Sequence, residues 1–131
     1  MANYGMSKTV VGSLGDVKEK VAAALKTQGF GILTEIDVQK TLKEKIGAEV
    51  EPYLILGACN PSLAHQLLGA DRHIGLLLPC NVVLQQAGSG VEVSIQDPEV
   101  MFSVVDAGTN EVLLTFPKEI RQRLQSVLEK L

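Results

Sequence analysis

The stretch LGACNPSLAHQLLGADRHIGLLLPCNVV, Leu56 to Val83, decides the fold of this chain. It contains both cysteines of the sequence, and each cysteine is followed directly by an asparagine, in the pairs Cys59-Asn60 and Cys80-Asn81. The structure of this stretch therefore determines where both thiols and both amides lie.

The first cysteine precedes a helix start. Asparagine is a favoured N-cap residue, and proline at the first helical position loses no hydrogen bond, so Asn60-Pro61 predicts the start of a helix. We expect this helix to run to about Leu68 and to end at Gly69. Its inward-facing residues are predicted to be Leu63, Leu67 and Leu68.

The second cysteine lies in an apolar run, Ile74 to Leu84, that predicts the central strand. Its apolar residues do not alternate with polar ones, which indicates that both faces of the strand are covered. Pro79 cannot donate a hydrogen bond within a sheet and therefore predicts a bulge or a bend. A strand covered on both faces also suggests a homodimer, since one short layer of helices covers only one face.

Strands and helices follow one another along the rest of the chain. The length of 131 residues suits one domain, residues 1–131, and we expect an α+β fold with helices packed on a mainly antiparallel sheet. The alternative is an α/β fold with a parallel strand pair, 51–58 and 74–80. Hydrophobic periodicity and capping residues predict strands at 6–11, 30–36, 51–58 and 91–95, helices after Ser13 and Asp37, a helical turn at Asp97-Pro98, and a last helix that Pro117 opens.

Composition excludes several classes of partner. The net charge of -3 gives no electrostatic reason to expect nucleic acid or an anionic membrane surface as partner. The apolar runs are shorter than the roughly 20 residues of a membrane-spanning helix, and the start of the chain lacks the apolar core of a signal peptide, so we expect a cytoplasmic protein. We expect no metal site, because the spacing of His65 and His73 from the cysteines matches no zinc motif.

The motifs of this stretch carry a family resemblance. The pattern GACNP, a short helix with Ala64-His65, and IGLLLPCNVV together resemble the domain-of-unknown-function family 302, and the similarity extends from Gly29-Phe30 through Asp97-Pro98-Glu99 to the C-terminal helix. The resemblance implies an α+β domain of the TATA-binding-protein-like kind and a homodimer. It does not imply an activity, and the cofactor stays unknown. Residues 103–116 look less like the family.

The two thiols have different predicted surroundings. Cys59 precedes a helix N-terminus, where backbone N–H groups and the helix dipole lower a thiol pKa, whereas apolar surroundings raise the pKa of Cys80 and leave it inert. Parallel neighbouring strands would bring the two sulfurs to the same level, near the strand spacing of about 4.8 Å. Antiparallel strands of the predicted bounds would hold them roughly 20 Å apart.

The leading functional hypothesis is a binding or accessory module for a small ligand. Its pocket would be built from the two Cys-Asn elements, with Cys59, Asn60, Cys80 and Asn81 as candidate ligand-binding residues. One alternative is a thiol-based redox enzyme or sensor that uses Cys59. Another is a purely structural protein-interaction domain.

Overall fold

A single antiparallel sheet forms the centre of the molecule. The computed structural model describes residues 3–131, and its five strands lie in the order β1-β5-β4-β3-β2. The α+β prediction is confirmed, and the alternative with a parallel pair is wrong, because the third and fourth strands are antiparallel neighbours. The single-domain prediction also covers residues 1 and 2, which lie outside the described range. The strands are β1 (Gly5–Val11), β2 (Gly31–Asp37), β3 (Tyr53–Cys59), β4 (Cys80–Ala87) and β5 (Gly90–Gln96).

The helices cover one face of this sheet. Three of them carry buried apolar residues that pack with the inward side chains of the strands, so that the core lies between the sheet and one helical layer. The second helix carries no buried residue. The helices are α1 (Leu14–Thr27), α2 (Val38–Ile46), α3 (Pro61–Ala70), α4 (Pro98–Met101) and α5 (Glu111–Glu129), with 3-10 turns at Arg72–Leu77 and Phe102–Val104.

The other face of the sheet carries no helical layer, and we call it the open face. Alternation along β4 makes the assignment clear, because Cys80, Val82 and Leu84 are buried in the core while Asn81 is exposed between them. An antiparallel sheet tolerates one such solvated face. The apolar residues of β4 that face the core are thus covered within one chain, so the sequence argument for a homodimer no longer applies to them.

The predicted strand 74–84 is half wrong. Residues 72–77 form a 3-10 turn whose start Asp71 caps, since its carboxylate accepts a hydrogen bond from the His73 N–H at 2.9 Å. The strand begins only at Cys80, after Pro79. A 3-10 turn and a strand can both bury apolar side chains over so short a stretch, so the absence of polar alternation does not distinguish a turn from a strand here.

Two helix boundaries also differ from the predictions. Helix α3 passes through Gly69 to Ala70, because the chain enters the next 3-10 turn directly and needs no left-handed residue there. Leu68, expected to face inward, is 39% exposed. Helix α5 begins six residues before Pro117, where the Asn110 side chain caps it by accepting from the N–H groups of residues 112 and 113. Pro117 lies buried inside the helix.

Candidate functional site

The two Cys-Asn elements lie at the same end of the sheet. Ala58 pairs directly with Cys80 in the β3–β4 ladder, and Cys59 is the next residue along β3. The expectation that antiparallel strands hold the thiols roughly 20 Å apart is therefore wrong, because it assumed that the strand of Cys80 begins at Ile74. The pairing brings the two cysteines together without parallel strands.

The two thiols nevertheless occupy different environments. Cys80 is 5% exposed and belongs to the hydrophobic core beside fully buried Ala58. Cys59 follows one position later on the neighbouring strand, where it pairs with Gly31 of β2, and it is half-buried. Because successive side chains of a strand point to opposite faces, the two sulfurs do not share one pocket wall.

Burial raises the pKa of both thiols. Burial, with a smaller contribution from a nearby Cys59 thiolate, raises the pKa of Cys80 from its ordinary value of 9.0 to about 12. The pKa of Cys59 is also raised from 9.0 by burial, which is opposite to the expected helix effect. The first turn of α3 has few N–H groups to offer a thiolate: Pro61 has none, and those of Leu63 and Ala64 are already bonded to Asn60. These surroundings do not favour a redox thiolate.

Asn60 is a structural residue of the helix start. Its side-chain oxygen accepts from the Leu63 N–H at 3.2 Å, as the predicted N-cap requires, and its Nδ2 donates to the Gln28 carbonyl at 3.4 Å. The Arg123 guanidinium donates to the same carbonyl at 3.2 Å. A Cβ on Gly29 would lie 2.8 Å from Asn60 Nδ2, so the amide is packed tightly against the end of α1. This amide is committed to the fold.

Asn81 lies on the open face instead. It pairs across the ladder with Gly57, and Gly57 carries no side chain because Thr34 and Pro79 occupy the space above it: a Cβ there would lie 2.8 Å from Pro79 Cγ. On the other side lies Gln96, one residue beyond the Val82–Ile95 pair of β4 and β5. Among residues 3–131, neither Asn81 nor Gln96 has a side-chain hydrogen bond.

A hollow of about 370 Å³ opens around these two amides, and we call it the amide hollow. Apolar atoms dominate its walls, and none of the described residues that line it is charged. Its polar side-chain groups are two carboxamides and two hydroxyls, those of Tyr4 and Ser94. The residues that line the amide hollow are Tyr4, Gly5, Asn81, Val83, Ser94, Ile95, Gln96 and Met101.

The structure thus separates the four candidate residues. Asn81 lines the amide hollow, whereas Cys59, Asn60 and Cys80 do not. Sequence reasoning missed Gln96 and Ser94 as its partners. The sequence predicts a strand at 91–95, but only the register of the β4–β5 pair places Ser94 and Gln96 on the same face as Asn81.

Within residues 3–131, no three histidine, cysteine or acidic side chains come together in a way that would hold a metal ion. None of the helices described is both long and apolar enough to cross a membrane.

Comparison with known proteins gives one consistent result. The crystal structure of an uncharacterized conserved protein DUF302 from Bacillus stearothermophilus superposes with a TM-score of 0.87 at 26% sequence identity, over 98% of this chain and 98% of that chain. No curated protein gives a significant match. The family model described as domain of unknown function DUF302 matches residues 6–131. The chain therefore belongs to the DUF302 family, as its two Cys-Asn motifs predicted.

Proposed function

We propose that this protein is a binding module for a small uncharged molecule, which it holds in the amide hollow. The observation that carries the proposal is the pair of neighbouring carboxamides, Asn81 and Gln96, that form no side-chain hydrogen bond within residues 3–131. The other asparagine of the Cys-Asn pairs is fully used as a helix cap. Of the pocket expected from the two Cys-Asn elements, this proposal retains Asn81 alone.

The chemistry of the lining specifies the kind of ligand. A carboxamide offers two donor hydrogens and one acceptor oxygen, so two carboxamides suit a molecule with both donors and acceptors on one edge, such as an amide. An anionic ligand would lose hydration without gaining an opposite charge, since the described lining residues are all uncharged and the Glu92 carboxylate accepts from the Ser94 hydroxyl at 3.3 Å. Val83 and Met101 supply apolar contact, which is the usual composition of a small-ligand site.

Benzamide and benzoate test this proposal as a matched pair of probes, because they share a shape and differ in charge. The measurement is the shift of the Asn81 and Gln96 side-chain NH₂ signals in ¹⁵N-resolved NMR spectra. We expect benzamide to move both signals in a saturable manner and benzoate to leave them in place.

Asn81→Leu is the variant that should abolish this response. Its matched control is Gln85→Leu, which removes a carboxamide four residues along the same strand, outside the amide hollow. Equal shifts with benzamide and benzoate, or an undiminished Gln96 shift in Asn81→Leu, would contradict the proposal.

A second candidate, the protein-interaction domain, is favoured by one exposed patch. Leu76 and Val104 are 87% and 78% exposed and line the same groove between the two 3-10 turns. Exposed aliphatic residues clustered in this way are typical of contact surfaces. In this case the predicted homodimer forms through that groove, so light scattering should give twice the 14.0 kDa of one chain, and Leu76→Asp should return it to 14.0 kDa.

A further inference from the structure

An uninterrupted row of aliphatic side chains crosses the open face next to the amide hollow. Ile36 of β2 pairs with Ile55 of β3, and Ile55 pairs with Val83 of β4. All three lie outside the core: Ile36 is 48% exposed, and the other two are half-buried. We call these three residues the aliphatic row.

The aliphatic row and the amide hollow are continuous. Val83 belongs to both, since it lines the hollow and ends the row. In the other direction the same cross-strand row continues into Ser94 and Ser7, whose hydroxyls are 2.8 Å apart. Along this row of described residues, an apolar group leaving the hollow therefore finds aliphatic side chains toward β2 and hydroxyls toward β1.

We infer that the ligand is a neutral amphiphile, an aliphatic amide of medium chain length, whose polar end lies in the amide hollow and whose chain lies along the aliphatic row. This inference rests on the proposed function and names the class of its ligand. Two strand spacings separate Val83 from Ile36, or roughly 10 Å, about the length of an extended eight-carbon chain.

The flanks of the row agree with an uncharged occupant. On one side the neighbouring cross-strand positions are Thr34 and Gly57, and on the other they are Tyr53 and Gln85. None of these four residues is charged. The same cross-strand line continues from Gln85 to Glu92, whose Oε1 lies 3.3 Å from Ser94 Oγ. A fatty-acid carboxylate would therefore meet a like charge there, whereas an amide head finds Asn81 and Gln96.

The two tyrosines of the chain report on the two ends of this site. The sequence has no tryptophan and only Tyr4 and Tyr53. Tyr4 lines the amide hollow, and Tyr53 is two residues from Ile55 on the same strand and the same face. The variants Tyr53→Phe and Tyr4→Phe therefore each leave a single fluorophore, one at the head end and one beside the row.

Acetamide and octanamide are the probes, because they share the head group and differ only in the chain. Acetamide should change the fluorescence of Tyr4 alone, whereas octanamide should change that of both Tyr4 and Tyr53. Each fully buried CH₂ strengthens binding roughly fourfold, and a half-covered chain gains less, so we expect octanamide to bind at least roughly fifty-fold more tightly than acetamide.

Ile55→Thr should remove most of the difference in affinity between octanamide and acetamide, because Ile55 is the middle of the aliphatic row. It should leave acetamide binding unchanged, because Ile55 lies outside the amide hollow. Val11→Thr is the matched control: Val11 is 82% exposed on β1, beyond the row, and its change should affect neither probe. Circular dichroism verifies that both variants fold.

The outcomes separate the two proposals. If Tyr4 responds to acetamide but octanamide binds no more tightly than acetamide, the aliphatic row is not a ligand site, and the proposed function still stands. A Tyr53 response to octanamide that persists undiminished in Ile55→Thr overturns the inference as well. No Tyr4 response to either amide contradicts the proposed function itself, and this inference with it.

Discussion

The same dipeptide, Cys-Asn, occurs twice in this chain and is used in opposite ways. In the first pair the asparagine is buried and caps a helix, while the cysteine is half-buried. In the second pair the cysteine is in the core, while the asparagine is exposed on the open face. The following residue explains the difference: Pro61 starts a helix after Asn60, whereas Val82 continues a strand after Asn81 and the side chains alternate between the two faces.

A pH titration of stability should separate the two thiols most strongly. An unfolded Cys80 loses its proton near its ordinary pKa of 9.0, but the folded state keeps that proton until about 12. Above pH 9 the folded state therefore binds more protons than the unfolded state, and stability falls as the pH rises. The loss is at most about 1.4 kcal/mol per pH unit.

Denaturant unfolding at pH 9, 10 and 11 measures this loss. The variant Cys80→Ala removes the titrating group and should flatten the alkaline decline, although its stability at pH 7 is lower. Cys59→Ala should flatten it less, because Cys59 is only half-buried. An equally steep decline in Cys80→Ala would show that other groups cause the alkaline instability.

Replacing each cysteine by serine is the next largest test. Cys80→Ser places a hydroxyl in the core beside Ala58, where an unsatisfied polar group costs about 1–3 kcal/mol in the free energy of unfolding. Cys59→Ser has access to solvent and should cost less than about 1 kcal/mol. Equal costs in urea titrations at pH 7 would mean that the two environments are alike.

The sequence predicts the part of this contrast that a few consecutive residues determine. It does not predict the part that depends on the register of the sheet. Asn60 was identified as an N-cap because the cap, the following proline and the bonded N–H all lie within four residues. The sequence does not predict that Asn81 lies beside Gln96, because this proximity depends on the bounds and the register of the β4–β5 hairpin. The sequence does not predict that β4 begins at Cys80, because a short apolar run is compatible with a 3-10 turn as well as with a strand.

The two asparagines differ in what their removal should cost. Asn60→Ala removes the cap and its bond to the Gln28 carbonyl, and a lost N-cap costs about 0.5–2 kcal/mol. Asn81→Ala removes an exposed side chain that forms no hydrogen bond within residues 3–131, so its effect should stay within about 0.5 kcal/mol. Thermal unfolding at pH 7 measures both. A large loss in Asn81→Ala would mean that this amide stabilises the fold rather than serving a ligand.

The difference in thiol labelling rate is the smallest effect we expect, and it compares the reactivity of Cys59 with that of Cys80. The thiolate attacks iodoacetamide and displaces iodide, so the labelling rate depends on the exposure and on the pKa of the thiol together. Cys59 is half-buried and Cys80 is 5% exposed with a pKa of about 12, so we expect Cys59 to react faster in the native protein. Because burial raises the pKa of Cys59 as well, its rate should still be rising with pH above 9 instead of reaching a plateau below 8.

Mass spectrometry of each cysteine peptide, with the unfolded chain as reference, distinguishes the cases. A plateau of the Cys59 rate below pH 8 would show an activated thiolate and would restore the redox alternative, whereas a native Cys80 rate equal to that of Cys59 would mean that the core at the start of β4 opens as readily as the surface.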